Sequence, residues 1–412
     1  MANPPLLTPN VIAKEALMQL KNQLVFGKLA HREYKKEFAK VGDTVTIRKP
    51  VKFQTTDGAA RVNQDVEEGS TSIKIDQRKH VSWGFSTQDL TLSIDDYSER
   101  YIKPAMLTLA QTVDTYGAGL YRKVWNVVGT PGTVPSNYGS LGAVAQRMTE
   151  MAVPKSDRRA ALTSEAFHKI AGTLTTLNMP QQAADAWRTG EIGNLAGFNT
   201  HESVNIKSHI VGTKAGTPLV NGAGQVSSYR DVMKTGVQQL SMKGFTASSA
   251  GVLREGDVFT IGGVFAVNPV PGEAGTGKNV LPYLQQFVVR QAVVNSDGSG
   301  NAIVTISPAI ITSGPYQTVS AAPADSAPIT VLGTANQVFT QNLCFHKNAL
   351  ALVTIPIEMP DGCAWKARED AEGLSVRITK DWSIDTDQEI VRADILFGWE
   401  AIYPDLAVRL AG

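Results

Sequence analysis

Between Ser93 and Val128 the chain reads SIDDYSERYIKPAMLTLAQTVDTYGAGLYRKVWNVV, and the architecture follows from how that run is parsed. Ser93 with Asp96 has the spacing of a capping pair, and Pro104 suits a first helical turn better than an interior. Met106, Leu109, Val113, Leu120, Val124 and Val127 then recur at three- or four-residue spacing, with one gap near Gly117 and Gly119. That period predicts a long helix from Pro104 to Val128.

Upstream, Val45, Ile47, Val51 and Phe53, then Ile73, Ile75, Val81, Trp83 and Phe85, alternate with polar residues, as strands with one covered face do. Between them lies the polar run TTDGAARVNQDVEEGSTS, Thr55–Ser72, too long for a tight hairpin. A two-stranded excursion of this kind is not stable alone in water and needs another surface to lie on. Nearer the N-terminus, Thr8 and Pro9 precede Val11, Ile12, Leu17, Leu20, Leu24 and Val25, a capped, short amphipathic helix. From Lys14 to Lys52 there are ten Lys/Arg against four Asp/Glu. A solvated helix face accounts for such an excess without invoking a ligand.

Downstream, Thr163–Leu177 is helical in period, with Thr163 or Ser164 as cap and Pro180 as stop; Gln181–Trp187 suits a second short helix. From Val211 to Thr340 the texture turns to Gly, Ser, Thr, Pro and Ala with short β-branched runs. Val258–Val267, Gln286–Val294, Ala302–Ile306 and Ile329–Leu332 are the strands expected of an inserted β-domain. Its LREGDVFTIGG, Leu253–Gly263, reads as a turn, a strand and a tight glycine bend, as in a small barrel. Leu343–Ile357 and Leu374–Ala407 return to alternating apolar strands.

The composition narrows the function classes. In 412 residues, 42% are hydrophobic and 19% charged, and the net charge of +1 gives no general pull toward nucleic acid or membrane. Two cysteines, Cys344 and Cys363, leave no disulfide framework and no CxxC spacing. No signal-peptide pattern opens the chain, and no apolar run approaches the ~18 residues of a membrane span.

The chemical signals are near misses. Gly272-Glu-Ala-Gly-Thr-Gly277-Lys278 resembles a phosphate-binding loop, but Asn279 stands where a magnesium-binding hydroxyl is needed, and Pro282 compromises the helix that should follow. His201-Glu202-Ser203-Val204-Asn205 lacks the second histidine of a zinc-protease helix. The six histidines, at 31, 80, 168, 201, 209 and 346, never fall at ligand spacing. Cys344 beside Phe345 and His346 reads as a strand residue rather than a nucleophile. The expectation is therefore a non-enzyme without cofactor or metal, a scaffold or assembly protein. Its competitors are a nucleotide-using enzyme acting through Gly272–Asn279 and a different structural protein, such as a tube-forming subunit.

Three passages carry a family resemblance: DDYSERYIKP, Asp95–Pro104; TGEIGNLAGFNTHESVNIKSH, Thr189–His209; and LCFHKNALALVTIP, Leu343–Pro356. In their order they resemble tailed-bacteriophage major capsid (coat) proteins of the HK97-type fold, within the P22-like group that carries an inserted domain. The resemblance implies an α+β chain: an N-terminal arm over 1–40 and an extended β-loop over 41–92. A spine helix and peripheral domain follow over 93–150, then the first part of an axial domain over 151–211. An inserted β-barrel over 212–340 and closing strands over 341–412 complete it.

By the same resemblance the subunit forms the hexamers and pentamers of an icosahedral shell, in the virion, after assembly in the bacterial cytoplasm. Implied partners are a scaffolding protein, a portal protein and packaged double-stranded DNA held without sequence preference, with a decoration protein as an option and no membrane. The extended loop would lie on a neighbouring subunit. That makes Phe53, Trp83, Lys52, Lys74 and Lys79 candidate contacts between subunits. Lysine–asparagine crosslinking, known in some relatives, would need a precisely placed acid in a dry pocket that no sequence pattern shows, so the lysines read as ordinary surface residues. Lys28, Arg32, Lys35 and Lys36 are candidates for a basic arm facing the shell interior.

Overall fold

The computed structural model describes residues 9–32, 44–53, 58–59, 61, 63–85, 98–174, 193–271, 278–363, 365–371, 373–383 and 388–412. The chain forms two compact units. The first gathers Met1–Val45, Ser72–Ala118 and Leu350–Glu400; the second gathers Thr46–Thr71, Gly119–Ala349 and Ala401–Gly412. The two units are α+β in kind, as the family resemblance implies.

In the first unit, the helix Pro9–Gln23 buries Ile12, Ala13, Ala16, Leu17 and Leu20, one face of a 3.6-residue period. That face packs on the strands Trp365–Ala371 and Leu374–Ser383. Thr8, its expected cap, lies outside the described residues, as do Ser93 and Asp96. The sheet runs Leu350–Thr354, Gln388–Ala401, Leu374–Ser383, Trp365–Ala371, and Gln77–Phe85 also pairs antiparallel with Gln388–Ala401, from Gln77 opposite Phe397 to Phe85 opposite Glu389. Gln77–Phe85 is thus not half of a free hairpin but a member of its own subunit's sheet. Thr44–Arg48 and Ser70–Lys74 form a separate two-stranded sheet.

The helix expected to reach Val128 is shorter. A π-turn at Ser98–Ile102 leads into α-helix over Lys103–Gly119, a 3₁₀ turn follows over Leu120–Lys123, and Val127–Val128 is already strand. The glycines that interrupt the periodicity mark the end. Gly117 faces the indole of Trp399, and a Cβ there would come within 2.8 Å of the ring. Trp399 Nε1 donates to the Val113 carbonyl at 3.0 Å, so the last helical turn is shaped to that ring.

The second unit is built mainly on two larger sheets, beside a two-stranded pairing of Leu253–Arg254 with Val293–Val294. A seven-stranded one runs Val127–Val128, Ala407–Ala411, Val338–His346, Arg158–Leu162, Phe198–Glu202, Asn194–Leu195, with Ser208–Ile210 pairing the start of Val338–His346. The helices Tyr138–Glu150 and Ser164–Leu174 share a core with it: Leu141, Val144, Met148, Phe167, Ile170, Phe198, Cys344 and Leu410 are buried together. Thr163 caps the second helix through Oγ1, which accepts from the Ala166 amide; Pro180 and Gln181–Trp187 lie outside the described residues. The first helix, capped by Asn137 Oδ1 on the Ser140 amide at 3.0 Å, is absent from the sequence reading.

The expected inserted barrel is a six-stranded sheet: Ile329–Val331, Val258–Pro271, Lys278–Val289, Ala302–Ser307, Gln238–Phe245, Gly216–Val220. Its outer strands meet through a bridge between Leu219 and Pro328, with the Val220 amide on the Ala327 carbonyl, which closes the barrel. Phe259, Phe287, Ile261, Val304, Ile306, Leu240 and Met242 fill it. The glycine pair Gly262–Gly263, read as a tight bend, is a bulge within the strand. It sits in a register shift between Thr260 and Phe265, so Val258–Pro271 continues through it as a bulged strand.

Candidate assembly surfaces

The chemical near misses resolve by secondary structure. A phosphate-binding loop needs a helix after the lysine; here Lys278 opens the strand Lys278–Val289, and its Nζ donates to the Gln317 carbonyl at 2.9 Å. Burial, with nearby Lys52, pushes the Lys278 ammonium down to about 8. Residues 272–277 lie outside the described residues. Pro282 falls in that strand, so the objection from a broken helix is replaced by a stronger one: there is no helix after Lys278. His201 and Glu202 lie on the strand Phe198–Glu202, where adjacent side chains point to opposite faces. Cys344 is fully buried in a central strand, and burial alone pushes its thiol up to about 12, so it is no nucleophile at neutral pH.

A buried polar cluster in the second unit escaped the sequence reading. His209 Nε2 lies 2.7 Å from Asp257 Oδ1, and its Nδ1 lies 3.2 Å from the Tyr121 hydroxyl. Asp257 Oδ2 accepts from the amides of Gly212 at 3.1 Å and Arg254 at 2.7 Å. The Asp257 carboxylate therefore accepts Nε2–H, which leaves Nδ1 to accept the Tyr121 hydroxyl. Beside it the guanidinium of Arg409, 1% exposed, donates to the carbonyls of Val124 at 2.7 Å and Gly256 at 2.9 Å. Burial pushes the Arg409 pKa down. An acid, an imidazole and a hydroxyl in line suggest a catalytic relay. Yet His209 is 4% and Asp257 1% exposed, so no substrate reaches them. The cluster ties the foot of the barrel to the strand Ala407–Ala411. Its members lie far apart in the chain, so no local spacing could have marked it.

The candidate contact residues fall in different settings. Phe53 is 60% exposed and Val66 65% exposed, two large apolar groups on the polar excursion. Lys52 is exposed, with its amide donating to the Tyr316 hydroxyl at 3.1 Å. Trp83 is half-buried within the first unit's sheet, opposite Val391. Lys79 lies 5.3 Å from the Tyr116 ring centroid, a cation–π contact inside its own subunit. Lys74 is exposed beside Asp76 at 3.7 Å. Of the basic arm, Lys28 is exposed and donates to the Asn22 carbonyl at 3.1 Å, Arg32 is half-buried, and Lys35 and Lys36 lie outside the described residues. Among the described residues, Lys52 and Phe53 are neighbours on the excursion in the second unit, and Lys79 and Trp83 share the strand Gln77–Phe85 in the first.

Among the described residues, the first unit has two buried acids. Asp394, fully buried, accepts from Arg377 at 2.6 Å and Arg392 at 2.9 Å, with Arg78 at 3.8 Å. The three arginines sit on three neighbouring strands. Asp114 accepts from the amides of Val25 at 2.6 Å and Gly27 at 3.0 Å, which fastens the turn after the N-terminal helix. Burial outweighs those hydrogen bonds and pushes its carboxyl up to about 6.

Comparison with known proteins gives one direction. The family described as "P22 coat protein - gene protein 5" matches residues 1–412. The major capsid protein of Acyrthosiphon pisum secondary endosymbiont phage 1 is 22% identical over 290 residues, 69% of this chain and 68% of that protein. A structure from Mycobacterium phage Che8 is 15% identical, with 94% of this chain and 90% of that chain covered at a TM-score of 0.46. The capsid of Ralstonia phage GP4 is 9% identical, with 93% and 86% covered at a TM-score of 0.44.

Proposed function

The chain belongs to the P22 coat protein family, and from that premise we propose how a tailed-phage major capsid subunit works with these residues. Copies associate as hexamers and pentamers into a closed icosahedral shell that encloses double-stranded DNA in the virion, after assembly in the host cytoplasm. The observation that carries this is the exposure of Phe53 and Val66 on an otherwise polar excursion. A Phe side chain buries on the order of 150–250 Å² when covered. At ~25 cal/mol per Å² that is several kcal/mol before ordering costs, small for one pair but repeated at every subunit of a shell.

The protein acts by association rather than catalysis, and Lys278 has no part in nucleotide hydrolysis. A scaffolding protein and a portal accompany assembly. The basic arm, through Lys28, Arg32, Lys35 and Lys36, faces the interior and meets phosphates in a sequence-independent, salt-sensitive way. Negative-stain microscopy of the protein co-expressed with its scaffold tests the reading. Closed shells are expected from the wild type, and few from Phe53→Ser with Val66→Ser, whose subunits stay folded. Tubes or isolated subunits from the wild type would overturn it.

A further inference from the structure

Outside the barrel's main core, Val232, Ala309 and Ile311 form a small buried cluster of their own, with Tyr229 and Tyr316 packed against it. The two tyrosine rings stack with centroids 3.4 Å apart and planes 4° from parallel. The polar excursion lands on this platform. The Tyr316 hydroxyl accepts from the Lys52 amide at 3.1 Å and donates to the Glu67 carbonyl at 2.8 Å, so a single group bridges the excursion's outgoing and returning limbs. The Glu67 carboxylate accepts from Arg230 at 2.9 Å, and the Ser70 amide donates to the Met233 carbonyl at 3.0 Å. Gly69 is buried against the Tyr229 hydroxyl, where an added Cβ would collide with that oxygen. An open cleft of about 420 Å³, lined by Glu67, Val226, Tyr229, Ile311 and Tyr316, remains beside the docked strand.

We infer that the Tyr229–Tyr316 platform is a main-chain docking site for Lys52 and Glu67–Ser70 of the same chain. It sets the pose in which the subunit offers Phe53 and Val66 to a second copy. The recognition is of backbone groups plus one acid and one residue without a side chain. It is made by hydrogen bonds and an ion pair rather than by apolar burial, so it opens locally at far lower cost than the barrel unfolds. The platform is a separate small cluster, so its loss leaves the barrel core intact. The assembly consequence rests on the capsid reading; the docking itself does not.

Amide exchange on the full-length, unassembled subunit tests the docking. Tyr316→Phe keeps the ring and removes the bridging hydroxyl; Gly69→Ala strikes the other partner, outside the barrel. In both, peptides covering Lys52 and Glu67–Ser70 are expected to exchange at least about tenfold faster, while Val258–Pro271 and Lys278–Val289 keep wild-type protection. Shells assembled from either variant should be heterogeneous in size. Glu67→Arg paired with Arg230→Glu is expected to exchange as wild type, where each single change does not. Unaltered exchange in both variants overturns the docking site. Fast exchange with shells of uniform wild-type size overturns its role in assembly. Failure of the wild type to form shells at all is a separate result that strikes the capsid reading and leaves the exchange data standing.

Discussion

Two buried carboxylates in the first unit are held in opposite ways. Asp394 has three arginines around it, and removing it leaves Arg377, 9% exposed, with a charge that water cannot reach. Asp394→Ala is therefore expected to destabilise the subunit by about 3–5 kcal/mol in urea unfolding. Asp114 instead is raised to about 6 from an ordinary value of 3.8. The folded state thus holds a proton that the unfolded chain has already released between those two pH values. Its contribution is complete below pH 3.8, declines as pH rises to about 6 and is flat above. The loss is on the order of 2–3 kcal/mol. Asp114→Asn should abolish this component, seen as a smaller drop in unfolding midpoint between acidic and neutral buffer than in the wild type.

The helix Lys103–Gly119 ends against the Trp399 indole. Gly117→Ala gains about 1 kcal/mol in helix propensity, yet it places a methyl in the ring. A net loss of up to about 2 kcal/mol in thermal unfolding is expected, since overpacking typically costs 1–3 kcal/mol. Deleting Thr56–Ser70 is expected to leave a folded, soluble subunit by circular dichroism that does not build shells of regular size. Elements marked by β-branched runs, such as Val258–Val267 and Ala302–Ile306, were legible from the sequence. Gly216–Val220, with its proline and glycine, and Gln238–Phe245, with its polar start, were not, because both become strands only by pairing within the barrel. The platform was illegible for a related reason. Glu67 meets Arg230, and Lys52 meets Tyr316, across separations that no periodicity records. The alternation and the long polar run showed an excursion that needs a surface to lie on, and family resemblance pointed to a neighbouring subunit. The identity of that support is a tertiary fact.

The inserted barrel is less separable than the expected boundaries, 212 and 340, imply. Its core cluster takes in Trp125, Val127 and Ala411, and Asp257 depends on His209, just outside the cut. A fragment beginning at Ser208 keeps that pair and the strand Ser208–Ile210 on Val338–Thr340. Its melting temperature should exceed that of a 212–340 fragment by roughly 4–8 °C, as expected for about 1–2 kcal/mol in a domain of this size. The order of segments along the chain carries one more consequence. The barrel's strands lie in one unbroken stretch, Gly216–Val331, whereas the first unit's sheet needs Gln77–Phe85 to find Gln388–Ala401. On a translating ribosome the barrel's strands have all emerged while the first unit's sheet still lacks its central strand. The nascent chain therefore carries a module whose strands are all present, short only of Ala411 in its core, while its N-terminal helix waits, apolar face uncovered, for the last strands to be made.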